Sequence, residues 1–330
     1  TGDKAEMDEK TEQLYIQAGI VHVLAISGLH ISIIGMSVYT LLKRLGVGLK
    51  GSACLSGFIV LSYGVMTGFG PSTERAVIMF LVRMGAVYLG CTYDFLSALS
   101  FSALILFVSR TLSILQTGVW FSFAAVLSIG VLWPAIEKCI PWQCAKTRNY
   151  KIEHLKKSMG VKTTIREWIE RMIRYIGPSA AVTIGTLPLT AFCYGVVPLV
   201  GFFLNLLVLP LMNLFVPMAL GAGGVSLLSI SMAGFCGGTL HFILQINRFL
   251  CEKMLIMPFS VWRTGVPPSA WLLIDYGLMI GFALLALPEH KWFKHTDIGK
   301  ILIKKSWLLM LAGLFILIPI RKMYPMVAFI

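Results

Sequence analysis

Apolar residues run along this chain in stretches of about 20, broken by short polar punctuation. The pattern is neither the strict alternation of a half-buried strand nor the one-sided stripe of a helix on a soluble core. A hydrocarbon layer about 30 Å thick is crossed by about 20 apolar residues in a helix. About ten crossings are therefore expected, with cores near 20–42, 51–69, 74–90, 95–109, 115–135, 178–196, 201–216, 217–232, 270–288 and 305–320. The stretch 198–232 carries Pro210 and Pro217, and reads as two crossings or as one crossing plus a re-entrant piece. Glu74, Arg75 and Arg83 leave 74–90 readable as a crossing or as a partial insertion. The expected fold is all-α: a polytopic transmembrane helical bundle with interrupted helices, forming one membrane-embedded domain over 1–330.

Two segments read as amphipathic rather than spanning. Over 165–176, Ile165, Trp168, Ile169, Met172, Ile173 and Ile176 recur at helical spacing. The pairs Glu167/Arg171 and Glu170/Arg174 lie one turn apart on the other face. This predicts a helix in the membrane interface, at the end of a basic cytoplasmic loop over 138–177, feeding a crossing at Pro178. Over 238–256, His241, Gln245, Arg248 and Glu252 form one polar stripe. It reads as an interfacial helix or as the lining of an aqueous path.

Composition agrees with the pattern. Hydrophobic residues make up 57% of the chain and charged residues 13%, against about 25% charged in a soluble domain. The formal net charge of +13 has two readings. Lys and Arg collect in cytoplasmic loops and set orientation, or they meet a polyanion. Basic residues cluster at Lys43, Arg44 and Lys50, through 138–177, and over 291–305. If all three clusters are cytoplasmic, the acidic stretch Asp3–Glu12 lies outside, and with ten crossings so does the C-terminus. That stretch lacks the basic region of a signal peptide, and a start at Thr1 reads as a piece of something longer. Seven cysteines show no C-x-x-C pair and no metal-ligand spacing, so no cofactor is expected.

Candidate chemistry gathers in two places. GIVHVLAISGLHISIIG (19–35) sets His22, Ser27 and His30 in apolar surroundings. Its small pair Gly28-x-x-x-Ser32 reads as a close helix contact, whereas histidines at membrane depth face water or a polar partner. In TGFGPSTERAVIM (67–79), Gly68, Gly70 and Pro71 argue against a straight helix through 67–75. Irregular backbone is tolerated in a membrane only inside protein or along a wet cavity. Arg75, just after this break, suits a phosphate or a structural ion pair, for example with Glu74. Phe69, Trp120, Phe121 and Phe123 are candidates for stacking on bases.

LAISGLHI (24–31), preceded by Gly19 and His22, strongly resembles the signature of the ComEC-type competence family. GDKAEMDEK (2–10) is similar to the stretch leading into that signature, and 67–79 is similar to the family's G-F-x-P-S-x-x-R-A motif. A softer likeness covers 186–213, with Thr186, Pro188, Asn205 and Pro210 in family order. The resemblance implies a channel in the bacterial cytoplasmic membrane, passing single-stranded DNA inward during natural transformation. It implies membrane lipid, an outer-side DNA receptor and a cytoplasmic ATPase motor as partners. His22, Ser27, Gly28, His30, Pro71, Arg75 and Asn205 are the motif residues expected to line the path or touch DNA, and the stripe adds His241 and Arg248. Relatives usually add an OB-like domain and a metallo-β-lactamase-like nuclease domain. Neither is expected here: 19 residues precede the first crossing, and none of the six histidines forms H-x-H-x-D-H. No catalytic residue is expected. The sequence also lacks G-x4-G-K-[ST], so any pull on DNA comes from a separate ATPase or from strand capture. A small-molecule or ion transporter is the alternative; it predicts an internal repeat, which the sequence does not show. An intramembrane enzyme built on His22, Ser27 and His30 lacks a third group to orient the base.

Overall fold

The computed structural model describes residue 19 and residues 28–109, 111–112, 116–139, 160–226, 230–257, 260–265 and 267–286. These fall into two compact units, one drawn from 1–122 and 198–261, the other from 123–197 and 262–330.

The first unit begins with four helices joined by short turns: α1 (Gly28–Arg44), α2 (Leu49–Met66), α3 (Pro71–Leu89) and α4 (Phe95–Ser109). One device ends the first three. After α2 the Phe69 N–H reaches back to the Gly64 carbonyl and the Gly68 N–H to Val65, both at 3.1 Å. Gly68 takes φ +72°, where a side chain would be strained. The same pair of bonds ends α1 around Gly46 and α3 around Gly90, so the three terminators stand 22 residues apart. Helix α4 opens differently: the Ser97 N–H donates to Asp94 Oδ2 at 2.7 Å, a side-chain cap on an orphan donor.

These helices are packed inside out by the standards of a soluble protein. On α2 the buried residues are Ser52, Ala53, Ser56, Gly57, Val60 and Gly64, nearly all small. Leu55, Phe58, Ile59, Leu61, Val65 and Met66 are exposed. In lipid no free energy is gained by turning Leu inward, so association comes from close backbone packing, which small residues permit. Thus Gly35 of α1 lies directly against the Phe80 ring, and its position lacks room for a Cβ. Ile31, Ala53, Val60, Ala76, Val77, Phe80 and Met84 form the seam where α1, α2 and α3 meet.

Helix α5 (Thr117–Leu127) follows and runs on, through a π-helical turn at Ser128–Leu132, into α6 (Trp133–Cys139). Pro134 cannot bond to the carbonyl one turn back, and its ring crowds that group. A widened turn just before it relieves both problems. In the second unit this turn packs on α7 (Gly160–Tyr194): Ser128 sits on Gly185 and the Trp133 ring on Gly177. Helix α7 is unbroken for 35 residues although it contains Pro178 and Pro188. The interfacial helix expected over 165–176 and the crossing expected from 178 are therefore one helix, with no break at Pro178.

After β1 (Val196–Pro198) comes α8 (Gly201–Ser226), again continuous through Pro210 and Pro217. This overturns the expected division at 216/217. Its partner is α9 (Ile230–Leu255), so the segment 238–256 is the end of a helix of 26 residues, not a separate interfacial piece. The Val200 N–H donates to the Ser260 carbonyl and closes the pair. Val200, Leu204, Val208 and Met212 form the seam with Cys251. Strand β2 (Val261–Arg263) pairs with β1, and α10 (Ser269–Ala286) follows.

Among the described residues four helical stretches are long and apolar enough to cross a membrane: Leu49–Met66, Thr117–Lys138, Met172–Tyr194 and Gly201–Gly223. Phe95–Ser109 and Ser269–Leu284 are shorter apolar helices. The all-α, membrane-type fold expected from the sequence is the one observed. The segment 305–320 lies outside the described residues.

Gly35→Leu forces overpacking against Phe80, and in detergent micelles it is expected to lower unfolding stability by about 1–3 kcal/mol. Gly237→Ala, on α9 with nothing within 4 Å of the added carbon, is expected to be neutral or to stabilise by up to about 1 kcal/mol. The Asp94 carboxyl is held below its ordinary value of 3.8 by the bonds from Ser97. The cap therefore contributes fully above that ordinary value and is lost as pH falls through the lowered one. The stability difference between wild type and Asp94→Ala should be present at neutral pH and shrink progressively in acid, as read by denaturant midpoints.

Candidate functional site

The first turns of α3 hold a run of polar residues tied outward to other helices. Pro71 is the first helical residue, where its missing N–H is not needed. Ser72 Oγ donates to the Gly118 carbonyl at 3.4 Å. Thr73 is buried. Glu74 Oε1 accepts from Ser109 Oγ at 3.2 Å. Arg75 Nε donates to Ser122 Oγ at 2.9 Å, and its Nη1 lies 3.5 Å from Met79 Sδ. One end of α3 is thereby bound to the end of α4 and the start of α5.

Arg75 is 5% exposed. A guanidinium offers five N–H donors, and the Nε–H goes to the Ser122 hydroxyl. Glu74 takes the Ser109 hydroxyl, and Arg75 donates to that of Ser122.

Gly28 is the other half of the site. A Cβ there would stand 2.7 Å from Arg75 Nη2 and 3.4 Å from Ala76 Cβ, so a side chain would displace the guanidinium. The two motifs singled out in the sequence thus touch. A second junction joins the first motif to the softer third one: a Cβ at Gly19 would stand 2.8 Å from Pro198 Cβ and 3.5 Å from Gly201 Cα. Within the same unit, Asn205 on α8 is 7% exposed, and its Oδ1 finds no hydrogen-bond partner among the described residues.

His30 is half-buried on α1. His22 and Ser27 lie outside the described residues. His241 and Arg248 sit on the exposed face of α9 and interact along it: His241 Nε2 lies 3.0 Å from Gln245 Nε2, and Arg248 Nε pairs with Glu252 Oε1 at 2.9 Å. The buried face of that helix carries Ile243, Asn247 and Cys251 instead. Asn247 is fully buried, and neither its Oδ1 nor its Nδ2 is bonded among the described residues. Sequence reasoning passed over Asn247, Ser109 and Ser122. The available signal was polarity inside an apolar stretch, the same signal that marked His30. Among the described residues no cluster of His, Cys, Asp and Glu is disposed to hold a metal ion.

Residues 1–290 match the model of a family described as Competence protein. The chain belongs to the competence protein family. It is 24% identical over 294 residues to ComE operon protein 3 of Bacillus subtilis (strain 168), a match covering 87% of this chain and 33% of that relative. The chain thus spans about a third of that competence relative's length. No solved structure matches.

Ser122→Ala removes the bond from Arg75 Nε, and the expected loss of stability is about 1.5–3 kcal/mol, the range for a hydrogen bond to a charged group. Gly28→Ala presses on the same guanidinium. The double variant should therefore lose less than the sum of the two singles, a coupling that a double-mutant cycle in detergent measures.

Proposed function

We propose that this member of the competence family is the membrane conduit through which single-stranded DNA enters the bacterial cytoplasm in natural transformation. The observation that carries the proposal is the meeting of Gly28 with Arg75 at the broken start of α3. There the Arg75 guanidinium, 5% exposed, is enclosed in an apolar protein, with Gly28 giving it room and the Ser122 hydroxyl accepting from its Nε.

Physical chemistry supports the choice of a polyanion. A buried cation is costly to maintain, and the Ser122 hydroxyl orients it. The N-terminal end of a helix carries partial positive charge and free N–H groups, and Arg75 adds a full charge about one turn in. Arg matches phosphate oxygens in a planar fork. A nucleic-acid backbone presents such a group at every nucleotide. Asn205 Oδ1 and both amide atoms of Asn247, buried and unbonded among the described residues, add polar groups that do not discriminate among bases. Lipid surrounds this chain, and the cytoplasmic membrane of a bacterium is the compartment that the reading requires. The outer-side DNA receptor and the cytoplasmic ATPase belong to the same proposal, as does the absence of catalysis in this chain.

In the full-length protein, with insertion confirmed by membrane fractionation, Arg75→Ala is expected to reduce internalisation of labelled DNA by at least about tenfold. That is the weight of one charge-assisted contact. Arg75→Lys, which keeps charge but loses the fork, should fall between Ala and wild type. Gly28→Val should resemble Arg75→Ala. Normal uptake by both Arg75→Ala and Gly28→Val sinks the reading. Proton- or ion-dependent solute movement in proteoliposomes, with DNA uptake intact in these variants, would favour a transporter instead.

A further inference from the structure

We propose that Asp275 is a proton-binding site inside the apolar body of the second unit, carrying its proton in the conformation observed. The inference concerns that unit alone and stands whether or not the conduit reading holds. Asp275 is the single acid between Lys253 and Pro288, and it lies within the apolar helix α10. It is 2% exposed, and its Oδ1 has no hydrogen-bond partner among the described residues. It stands on the buried stripe that continues through Met279, Phe282 and Ala283. Phe282 and Ala283 pack on Leu132, Ala135 and Ile184. The acid therefore begins an apolar seam instead of ending at a surface.

Among the described residues the neighbouring groups offer no counter-charge. Tyr276, next along α10, commits its hydroxyl to the Gly185 carbonyl at 2.9 Å. Cys193 of α7 lies within electrostatic reach of that tyrosine. From α6, Glu137 and Lys138 lie beyond the Leu132–Ala135 patch that meets Phe282, and Phe282 itself is about two turns along from Asp275. Of these four groups Tyr276 and Cys193 are neutral, and Glu137 and Lys138 sit past the apolar patch. An enclosed carboxylate without a partner costs several kcal/mol, whereas a carboxylic acid needs only one acceptor and no counter-ion. Keeping an acid here, where Asn or Leu would pack with less penalty, makes sense if the proton is held and released. Release requires water or a cation to reach the seam, so the site reports, by its charge, whether this unit is closed or open.

The test uses the whole chain in native-lipid membranes and the apolar carbodiimide DCCD, which modifies protonated carboxyls in apolar surroundings. After treatment at pH 8, peptide mass spectrometry should find an adduct on Asp275 forming at least tenfold faster than on exposed Glu252 or Asp94. Asp275→Asn should abolish that adduct. The neutral acid contributes stability that is lost as pH rises out of the ordinary carboxylate range, so between pH 4 and pH 7 the melting temperature of the wild type should fall relative to that of Asp275→Asn. Asp275 unmodified at pH 8, or modified no faster than Glu252, overturns the proposal. A wild-type melting temperature that runs parallel to the variant's across that range overturns it as well. Should Asp275→Asn fail to insert, the wild-type labelling rates decide alone.

Discussion

Hydrocarbon cannot hydrogen-bond, and most of what distinguishes this chain follows from that constraint. Lipid tails are as apolar as Leu, so burying Leu between helices gains little, and large side chains are left facing outward on α2 and α4. What lipid cannot supply is a partner for a polar group or a contact as close as two backbones can make. Helices therefore meet through Ser52, Ser56, Gly57 and Gly64 on α2, and through glycines that accept an aromatic ring, Gly35 under Phe80 and Gly177 under Trp133. Hydroxyls buried in these seams bond to their own helix, as Ser102 does to the Leu99 carbonyl, which satisfies them without breaking the helix.

The same constraint explains why the chain break and the cation occur together. Between Thr67 and Gly70 the backbone leaves its helix. The turn after α2 retrieves two of the freed carbonyls through the Gly68 and Phe69 N–H groups, and the Phe69 ring covers Gly64. On the far side of the break, α3 begins with donors that have no partner in their own helix. A protein that places such a break in an apolar bundle must bring polar groups to it. Ser109, the Gly118 carbonyl and Ser122 are those groups. Arg75 is enclosed because the break already has polar company, and Gly28 is glycine because the guanidinium needs its space.

How much of this was legible in the sequence depended on which force decided each feature. The all-α membrane fold was legible because a bilayer sets one length scale, and helices such as Phe95–Ser109 fall where the apolar run places them. The joining of Gly28 to Arg75 was legible only as two motifs; that they touch is a long-range fact outside any local pattern. Prolines misled. Pro178, Pro210 and Pro217 were read as boundaries, as they would be in water, yet α7 and α8 run through them. Ending a helix in lipid exposes several backbone groups, whereas a proline costs one bond and some bending, so continuity wins. The stripe on α9 is a different case. His241, Gln245, Arg248 and Glu252 look like the lining of a path because they are polar and regular. They interact one turn apart along the exposed face, and on the enclosed face stands Asn247, which belongs to no stripe. Asp275 was readable in principle as a lone acid in an apolar run, but acids draw less notice than histidines in a search for ligands.

That Arg75 is the one buried Arg among the described residues also limits what this chain does on the proposed reading. Moving one negative charge inward against an inside-negative potential costs about 2.3 kcal/mol per 100 mV. The cost recurs at every nucleotide. A contact with Arg75 favours the phosphate at that place, but when the strand advances by one nucleotide the next phosphate takes the same place. The favourable term is gained and lost in each step and cancels over the cycle. Arg75 can therefore lower the barrier to crossing the apolar layer but cannot supply net work. These 330 residues contain no phosphate-binding loop for a nucleotide. A conduit built this way conducts only as fast as something on the inner side removes strand from it. The site should thus govern permeability, and the direction of movement should be set outside it.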